Sequence, residues 1–295
     1  MKTLVSERFL VKLFVLSQRK SPKLYHFSTT VSASQSRGGL PRFFSDALPS
    51  SKGNVVRVQG DEFWHMTKVL RLNVNDRIEL FNGKGAIIGG CIQRIDRTGM
   101  DFLALEDLKM VVPEVTRWHV VAGFGTLKGG RADWLIEKCT ELGASSVTPL
   151  LTERSPSISE NRLDRWHRVM RSAIKQCQRL HEMKLNPPMR IKDLVPLVAR
   201  SSPCFLAVAE ATPLVNVLSQ SRHSLSGLAI IGPEGDFTDK EGTLLIEARA
   251  TPVGLGPCRL RVETATMALL ATLMLWSDSQ LPNSQEANFY KSCLK

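Results

Sequence analysis

The sequence has no run of eighteen or more apolar residues, no C-x-x-C pair, and almost no acid in its first forty-two positions. The first absence excludes a helix apolar enough over its length to cross a membrane. The second goes with six scattered cysteines (Cys91, Cys139, Cys177, Cys204, Cys258, Cys293) and no histidine at zinc-ligand spacing. That excludes the usual zinc patterns, so no metal is expected and the thiols read as reduced, Cys139 and Cys177 as small residues on apolar helix faces. The third is most telling, because residues 1–42 carry eight Lys or Arg against Glu7 alone, are rich in Ser and Thr, and end in SQSRGGLP. This is targeting-segment composition. Lys12 interrupts the apolar run FLVKLFVL and no small-residue cleavage site follows promptly, which argues against a secretory signal. Import into an organelle is expected, a chloroplast before a mitochondrion, with a disordered tail as the other reading. Removing that +7 leaves about +4 of the chain's +11 for the rest, so total charge says little about a nucleic-acid partner.

A length of 295 residues predicts two domains. Residues 43–111 read as short strands around one helix at 61–71, with Asn82-Gly83 and Lys84-Gly85 fitting a tight hairpin. VPEVTR then supplies a proline-marked linker. From 117 to 280 strands and helices alternate, including helices at 131–142 and 159–181, which predicts an α/β domain with a mostly parallel sheet covered on both faces. Residues 281–295 read as a C-terminal tail.

Gly123-Phe-Gly125-Thr-Leu-Lys-Gly129 follows a strand and precedes a helix, but Lys128 stands where a dinucleotide-binding turn needs glycine, and no GK[ST] ending follows. A nicotinamide enzyme stays a second reading. Lys128 and Arg131, at the mouth of that helix, suit either a phosphate or a solvated loop. The helix at 159–181 carries an apolar stripe of Leu163, Trp166, Met170, Ile174 and Cys177 and a cationic stripe of Arg168, Arg171, Lys175 and Arg179 with few acids at i±4. The apolar stripe reads as core, and the cations as an RNA-facing or simply solvated face.

The strongest local signal is LAIIGPEGDFTDKE at 228–241, where a strand stops at Gly232-Pro233-Glu234-Gly235 and Thr238 with Glu241 forms a capping box. A second such loop is GLGPCRLRVETA at 254–265, leading into TMALLATLMLW, whose lack of a polar face predicts full burial. Loops at the carboxyl ends of parallel strands are where open α/β sheets bind ligands, and glycines let the backbone approach a flat heterocycle. Arg261 and Glu263 either serve that site or pair with each other.

Together these loops resemble those of the SPOUT methyltransferases, and specifically the bacterial small-subunit ribosomal RNA methyltransferase E family (RsmE), which methylates N3 of a uridine in 16S rRNA. HMTKVLRLNVNDRIELFNGKG, KGGRADWLIEKCTELGASSVTPLLTERS, AIKQCQR, IGPEGDFT and LGPCRLRVETA carry the resemblance across most of the chain after residue 42. It implies an N-terminal PUA-like β-barrel domain that binds RNA, a C-terminal SPOUT α/β domain with a trefoil knot, S-adenosyl-L-methionine as cofactor, and a homodimer acting on small-subunit ribosomal RNA or the ribosomal particle. Under it, Gly232, Pro233, Glu234, Gly235, Leu255, Gly256, Pro257 and Leu260 hold the cofactor. Arg261, Glu263 and Thr264 lie beside the methyl-transfer centre, with Arg261 and Glu263 catalytic. Lys128, Arg131, Arg154, Arg168, Arg171, Lys175 and Arg179 are RNA-binding candidates, and Glu141 and Gln176 also match family positions.

Two departures stand out. Cys258 replaces the family's first arginine in LGPRxLR, with Arg259 one residue later, and Asp236 replaces a common second glycine after PEG. Asp236 is expected to point away from the ligand. These departures keep a third reading open, an RNA-binding protein that has lost catalysis.

Overall fold

Strands β1 (Arg42–Phe44), β2 (Val55–Val58), β3 (Arg77–Phe81), β4 (Ala86–Ile95), β5 (Met100–Ala104) and β6 (Lys109–Met110) build a sheet ordered β1-β3-β4-β5-β2, with β6 on β4. In this computed structural model residues 39–281 are described, apart from Thr126, Pro156, Ser157 and His223. Residues 1–38 of the expected targeting segment, and 282–295 of the expected tail, lie outside the described residues. The fold takes in the end of that segment, because Pro41 O accepts from Glu79 N at 2.9 Å and Arg42 pairs with Glu79 across a parallel β1–β3 ladder.

Alternation decides what each strand buries. Ile78 and Leu80 on β3, with Ile88 and Ile92 on β4, join Phe43, Met100 and Phe102 in the core of this half, while Phe81 and Ile87 face the other way into the core of the second half. The β3–β4 hairpin turns through Asn82–Gly85 as expected, with Asn82 Oδ1 accepting from Lys84 N and Ala86 N at 2.9 and 3.2 Å. The expected helix at 61–71 is shorter and changes pitch. It runs as α1 (Gly60–Trp64), widens to a π-helical turn over His65–Val69, and stops before Arg71, whose φ is 54°.

The second half is wholly parallel, β7 (Arg117–Ala122), β8 (Ser146–Leu151), β9 (Lys184–Leu185), β10 (Met189–Arg190), β11 (Cys204–Ala207), β12 (Ser226–Ile231) and β13 (Thr251–Val253). Its order is β10-β8-β7-β12-β11-β13, with β9 on β8. Around it lie α2 (Arg131–Glu141), α3 (Glu160–Cys177), α4 (Ile191–Arg200), α5 (Leu214–Gln220), α6 (Asp239–Glu247) and α7 (Val262–Asp278). Period two splits the strands between two cores. Trp118, Val120, Ala122, Phe205, Ala229 and Ile231 meet α2, α3 and α7 on one face; Val121, Leu206, Leu228 and Ile230 meet α4 and α6 on the other.

Two helix expectations need correction. The helix expected at 159–181 ends at Cys177, because Gln178 turns to φ 58° and carries the chain away from the helix axis. The expected full burial of α7 is also not met. Leu269, Leu270 and Leu273 are buried, but Leu275 keeps 71% of its surface.

Candidate active site

Three loops leave the carboxyl ends of β7, β12 and β13. In the first, Gly123 N donates to Ile231 O at 3.0 Å, and a Cβ on Gly123 would stand 2.7 Å from Pro233 N. Only a residue without a side chain lets this loop lie against the Gly232–Gly235 turn. Arg162, which the sequence did not single out, fixes the same loop from α3 by donating to Gly125 O and, at 2.8 Å, to Leu127 O.

In the second loop Asp236 N donates to Pro233 O at 2.8 Å, and a Cβ on Gly235 would meet Arg154 Cδ at 3.2 Å. Arg154 also donates to Gly235 O, so it braces this loop. Asp236 adopts φ 64°, and its Oδ1 accepts from Phe237 N at 2.8 Å. The carboxylate is turned into its own loop. The capping box is formed as read, with Thr238 N donating to Glu241 Oε2 at 3.0 Å and Glu241 N to Thr238 Oγ1 at 3.3 Å. Glu241 Oε1 also accepts from Glu153 N at 2.9 Å, which ties α6 to the loop after β8.

The third loop leaves β13 at Gly254, where Leu214 N donates to the Gly254 carbonyl at 2.9 Å. Gly256 sits at φ 115°, which a residue with a side chain rarely adopts. Leu255 and Leu260 rest half-buried on the main core, while Pro257, Cys258 and Arg259 are exposed. The loop ends at Arg261, the exposed N-cap of α7, and α7 then packs back across β7 and β12.

Arg131 joins these parts. Its Nη1 lies 2.6 Å from Glu234 Oε1 and 3.6 Å from Glu263 Oε1, and its Nε donates to Lys128 O at 3.3 Å. One guanidinium thus bridges the second loop and the first turn of α7. The hydrogen bond to Glu234 raises the Arg131 pKa further above its ordinary value. Glu263 is 7% exposed, and its Oε2 is buried without a hydrogen-bond partner. Arg261 and Glu263 form no ion pair among the described residues, so the alternative of mutual pairing falls away.

The cationic stripe comes apart. Lys175 pairs with Glu62 of α1, and Arg171 lies over the Phe44 ring at 5.1 Å and 3.9 Å from Glu182, so both face the β-rich half. Arg179 is largely buried, donates to Ala144 O at 2.8 Å and Thr140 O at 3.3 Å, and has its pKa pushed down by burial. Lys175 and Arg179 are structural cations, Arg171 keeps an exposed side chain, and Arg131 belongs with the loops. Lys128 and Arg168 are exposed, with no ion pair among the described residues. Glu141 pairs with Lys138 at 2.8 Å, and Gln176 is exposed.

Two hollows among the described residues bear on the site. One of about 180 Å³, beside the first loop, is lined by Leu127, Gly129, Gly130, Asp133, Arg162 and Trp166 among others. A larger open cleft of about 410 Å³ lies at the starts of β11 and β13, near Asn216 and Arg249, and touches none of the three loops. Chemistry outweighs size here, because the three loops meet at Glu263, a buried carboxylate with one unpartnered oxygen, whereas no such group lines either hollow. No group of His, Cys, Asp and Glu suited to a metal exists among the described residues.

Residues 114–274 match the family described as an RNA methyltransferase domain, and residues 58–103 match an RNA methyltransferase PUA domain. The Ribosomal RNA small subunit methyltransferase E of a Synechocystis strain is 30% identical over 215 residues, 71% of this chain and 69% of the relative. Among solved structures, a Ribosomal RNA small subunit methyltransferase E from Neisseria gonorrhoeae bound to S-adenosylmethionine superposes with a TM-score of 0.68 at 25% identity, covering 80% of this chain and 98% of the other. The methyltransferase Lpg2936 from Legionella pneumophila, also with S-adenosylmethionine, gives 0.70 at 25% identity over 80% and 98%.

Proposed function

Since the chain belongs to the ribosomal RNA small subunit methyltransferase E family of RNA methyltransferases, we propose that it methylates N3 of a uridine in the small-subunit ribosomal RNA of an organelle, as a homodimer. It is an S-adenosylmethionine-dependent ribosomal RNA methyltransferase with a PUA-like N-terminal domain. The observation that carries the site assignment is Arg131 drawn between Glu234 and Glu263, which brings the Gly232–Gly235 loop and the start of α7 to one place. The residues fit the cofactor. Gly232, Gly235 and Gly256 keep side chains off the backbone, Pro233 stiffens its turn, Leu255 and Leu260 offer apolar surface, and the unpartnered Glu263 oxygen awaits a donor or a cation. Once bound, S-adenosylmethionine supplies an electrophilic methyl group on a positively charged sulfur.

The protein's part is to prepare the nitrogen. Uridine N3 is a weakly acidic N–H and a poor nucleophile, so it must lose its proton while it lines up with the methyl group. Arg261, exposed at the N-cap of α7 and without an ion pair among the described residues, stabilises the uracil anion; Glu263 orients the uracil or the cofactor's cationic end. Positioning contributes more than either group alone. Arg261→Ala is expected to lower the single-turnover rate on cofactor-loaded enzyme by about a hundredfold, the scale of one stabilising donor. An unchanged rate would remove Arg261 from the chemistry. Lys128, Arg168 and the exposed Arg171 are the cations left for the RNA backbone.

The dimer reading is supported by the outward apolar face of α7 around Leu275. The strand order β7-β12-β11-β13, with α7 returning over β7 and β12, supports a trefoil knot. The targeting composition of residues 1–42 supports import into an organelle, for which a chloroplast is the reading carried forward. Calorimetric titration of the full chain with S-adenosylmethionine, beside NADH and NADPH, tests the site, since heat from a nicotinamide alone would overturn it. Primer-extension stops on organellar small-subunit RNA then locate the base, and a fluorescent fusion of residues 1–42 reports chloroplast or mitochondrion.

A further inference from the structure

Five buried side-chain atoms lack a hydrogen-bond partner among the described residues: Glu62 Oε2, His65 Nδ1, Arg179 Nε, Glu182 Oε1 and Glu263 Oε2. Only Glu263 belongs to the three-loop site. Its side chain is 10% exposed, yet its nearest cation, Arg131, lies 3.6 Å away and is committed to Glu234 at 2.6 Å. Two carboxylates share one guanidinium, and the buried carboxylate has the weaker share. The N-terminus of α7 adds only a partial positive charge, about half a unit. A buried carboxylate so poorly compensated is unfavourable until a cation reaches it.

We infer that Glu263, with Arg131 as its positioning residue, reads the charge on the cofactor's sulfur. This rests on the S-adenosylmethionine reading above and goes beyond it to the discrimination between cofactor and product. S-adenosylmethionine carries a sulfonium, and S-adenosylhomocysteine, left after transfer, carries a neutral thioether at the same atom. Glu263 attracts the first through that charge and the second only through contacts the two share. Methyl transfer therefore removes one of the attractions that held the ligand, which favours product release. Glu234 sets the strength of the effect, because every bit of Arg131 that it engages is withheld from Glu263.

The test is calorimetric titration of the full-length protein with S-adenosylmethionine and, separately, S-adenosylhomocysteine. The unmodified protein is expected to bind the sulfonium form on the order of tenfold more tightly, a difference of about 1.4 kcal/mol. Glu263→Gln keeps the shape and removes the charge, so the ratio should fall close to one. Glu234→Gln frees Arg131 to turn to Glu263 and should lower the ratio part-way. If neither ligand binds the unmodified protein, the cofactor reading itself is overturned. Equal affinities for the two ligands would overturn the inference alone, whether or not any variant folds. A ratio untouched by Glu263→Gln, in a variant with an unchanged melting temperature, would also overturn it.

Discussion

Gly256 holds φ at 115° with no heavy atom within 4 Å of where a Cβ would stand. A side chain there meets backbone strain, not a clash, and such strain costs about 1–3 kcal/mol. The loop is exposed, so the strain would be relieved by the loop moving. Gly256→Ala is therefore expected to weaken S-adenosylmethionine binding roughly tenfold or more while the melting temperature shifts by only a few degrees. Unchanged affinity by calorimetry would mean this carbonyl and amide do not form the site. Glycines and prolines of this kind are legible in a sequence, because a turn leaves its demands on the residues that make it. Asp236 was legible too: its positive φ explains why glycine suits the position, and its carboxylate bonds its own neighbour as a short polar side chain can. Arg131 was not. Glu234 is 103 residues away, and local spacing rules see nothing at that distance. Nothing in the structure explains Cys258 in the place of an arginine.

At the scale of elements, the errors share a cause. The face holding Arg171, Lys175 and Arg179 was read as free because it has few acids at i±4, but its partners Glu62, Glu182 and the Ala144 carbonyl come from other elements. Helix α4 went unread, although Ile191, Leu194 and Val198 form a buried face that outweighs the amide missing at its internal Pro196. The longer strands and helices of the second half, such as β7, β8, β12, α2 and α7, were legible because their period is clear. One strand pair makes a prediction. His119 on β7 stands opposite Ser146 on β8, with its Nδ1 2.8 Å from the Ser146 hydroxyl. Burial, then Arg117 and Lys184, lower its pKa below the ordinary 6.5. The unfolded chain thus takes up a proton that the folded one refuses, so this contribution is complete above pH 6.5 and is lost as the pH falls toward the lowered value. Thermal melts of the unmodified protein should lose more stability between pH 7.5 and about 5.5 than melts of His119→Asn, which keeps a polar side chain and cannot titrate. Parallel curves for the two would show that His119 is not the source.

The described residues read as two domains by sequence, but by structure the β-rich half contributes buried side chains to the main core of the α/β half. Phe81 and Ile87 lie on strands of the β-rich half but belong to the main core of the α/β half, the cluster that also holds Trp118 and Leu270. Lys175 pairs with Glu62, and Arg42 on β1 donates to Gln178 O beyond α3. The hairpin glycines allow this docking, since a Cβ on Gly83 or Gly85 would lie 2.5 Å from Glu182 or 2.4 Å from His181. The proline-marked linker led the sequence to be read as two domains; that the halves share side chains was not legible, because β3 and β4 look the same from either side until both cores are known. Two domains with separate cores would melt separately, whereas halves that share buried aromatic and aliphatic groups should unfold together. The full chain at fixed concentration is therefore expected to show one calorimetric transition. Phe81→Ala, which empties a fully buried site that Phe44 approaches edge-on at 5.8 Å, should cost about 3–5 kcal/mol. The loss should appear equally in probes placed in either half. If that substitution splits the melt into two transitions, the halves are held together mainly through this one side chain; if the unmodified protein already shows two, the shared core does not couple them.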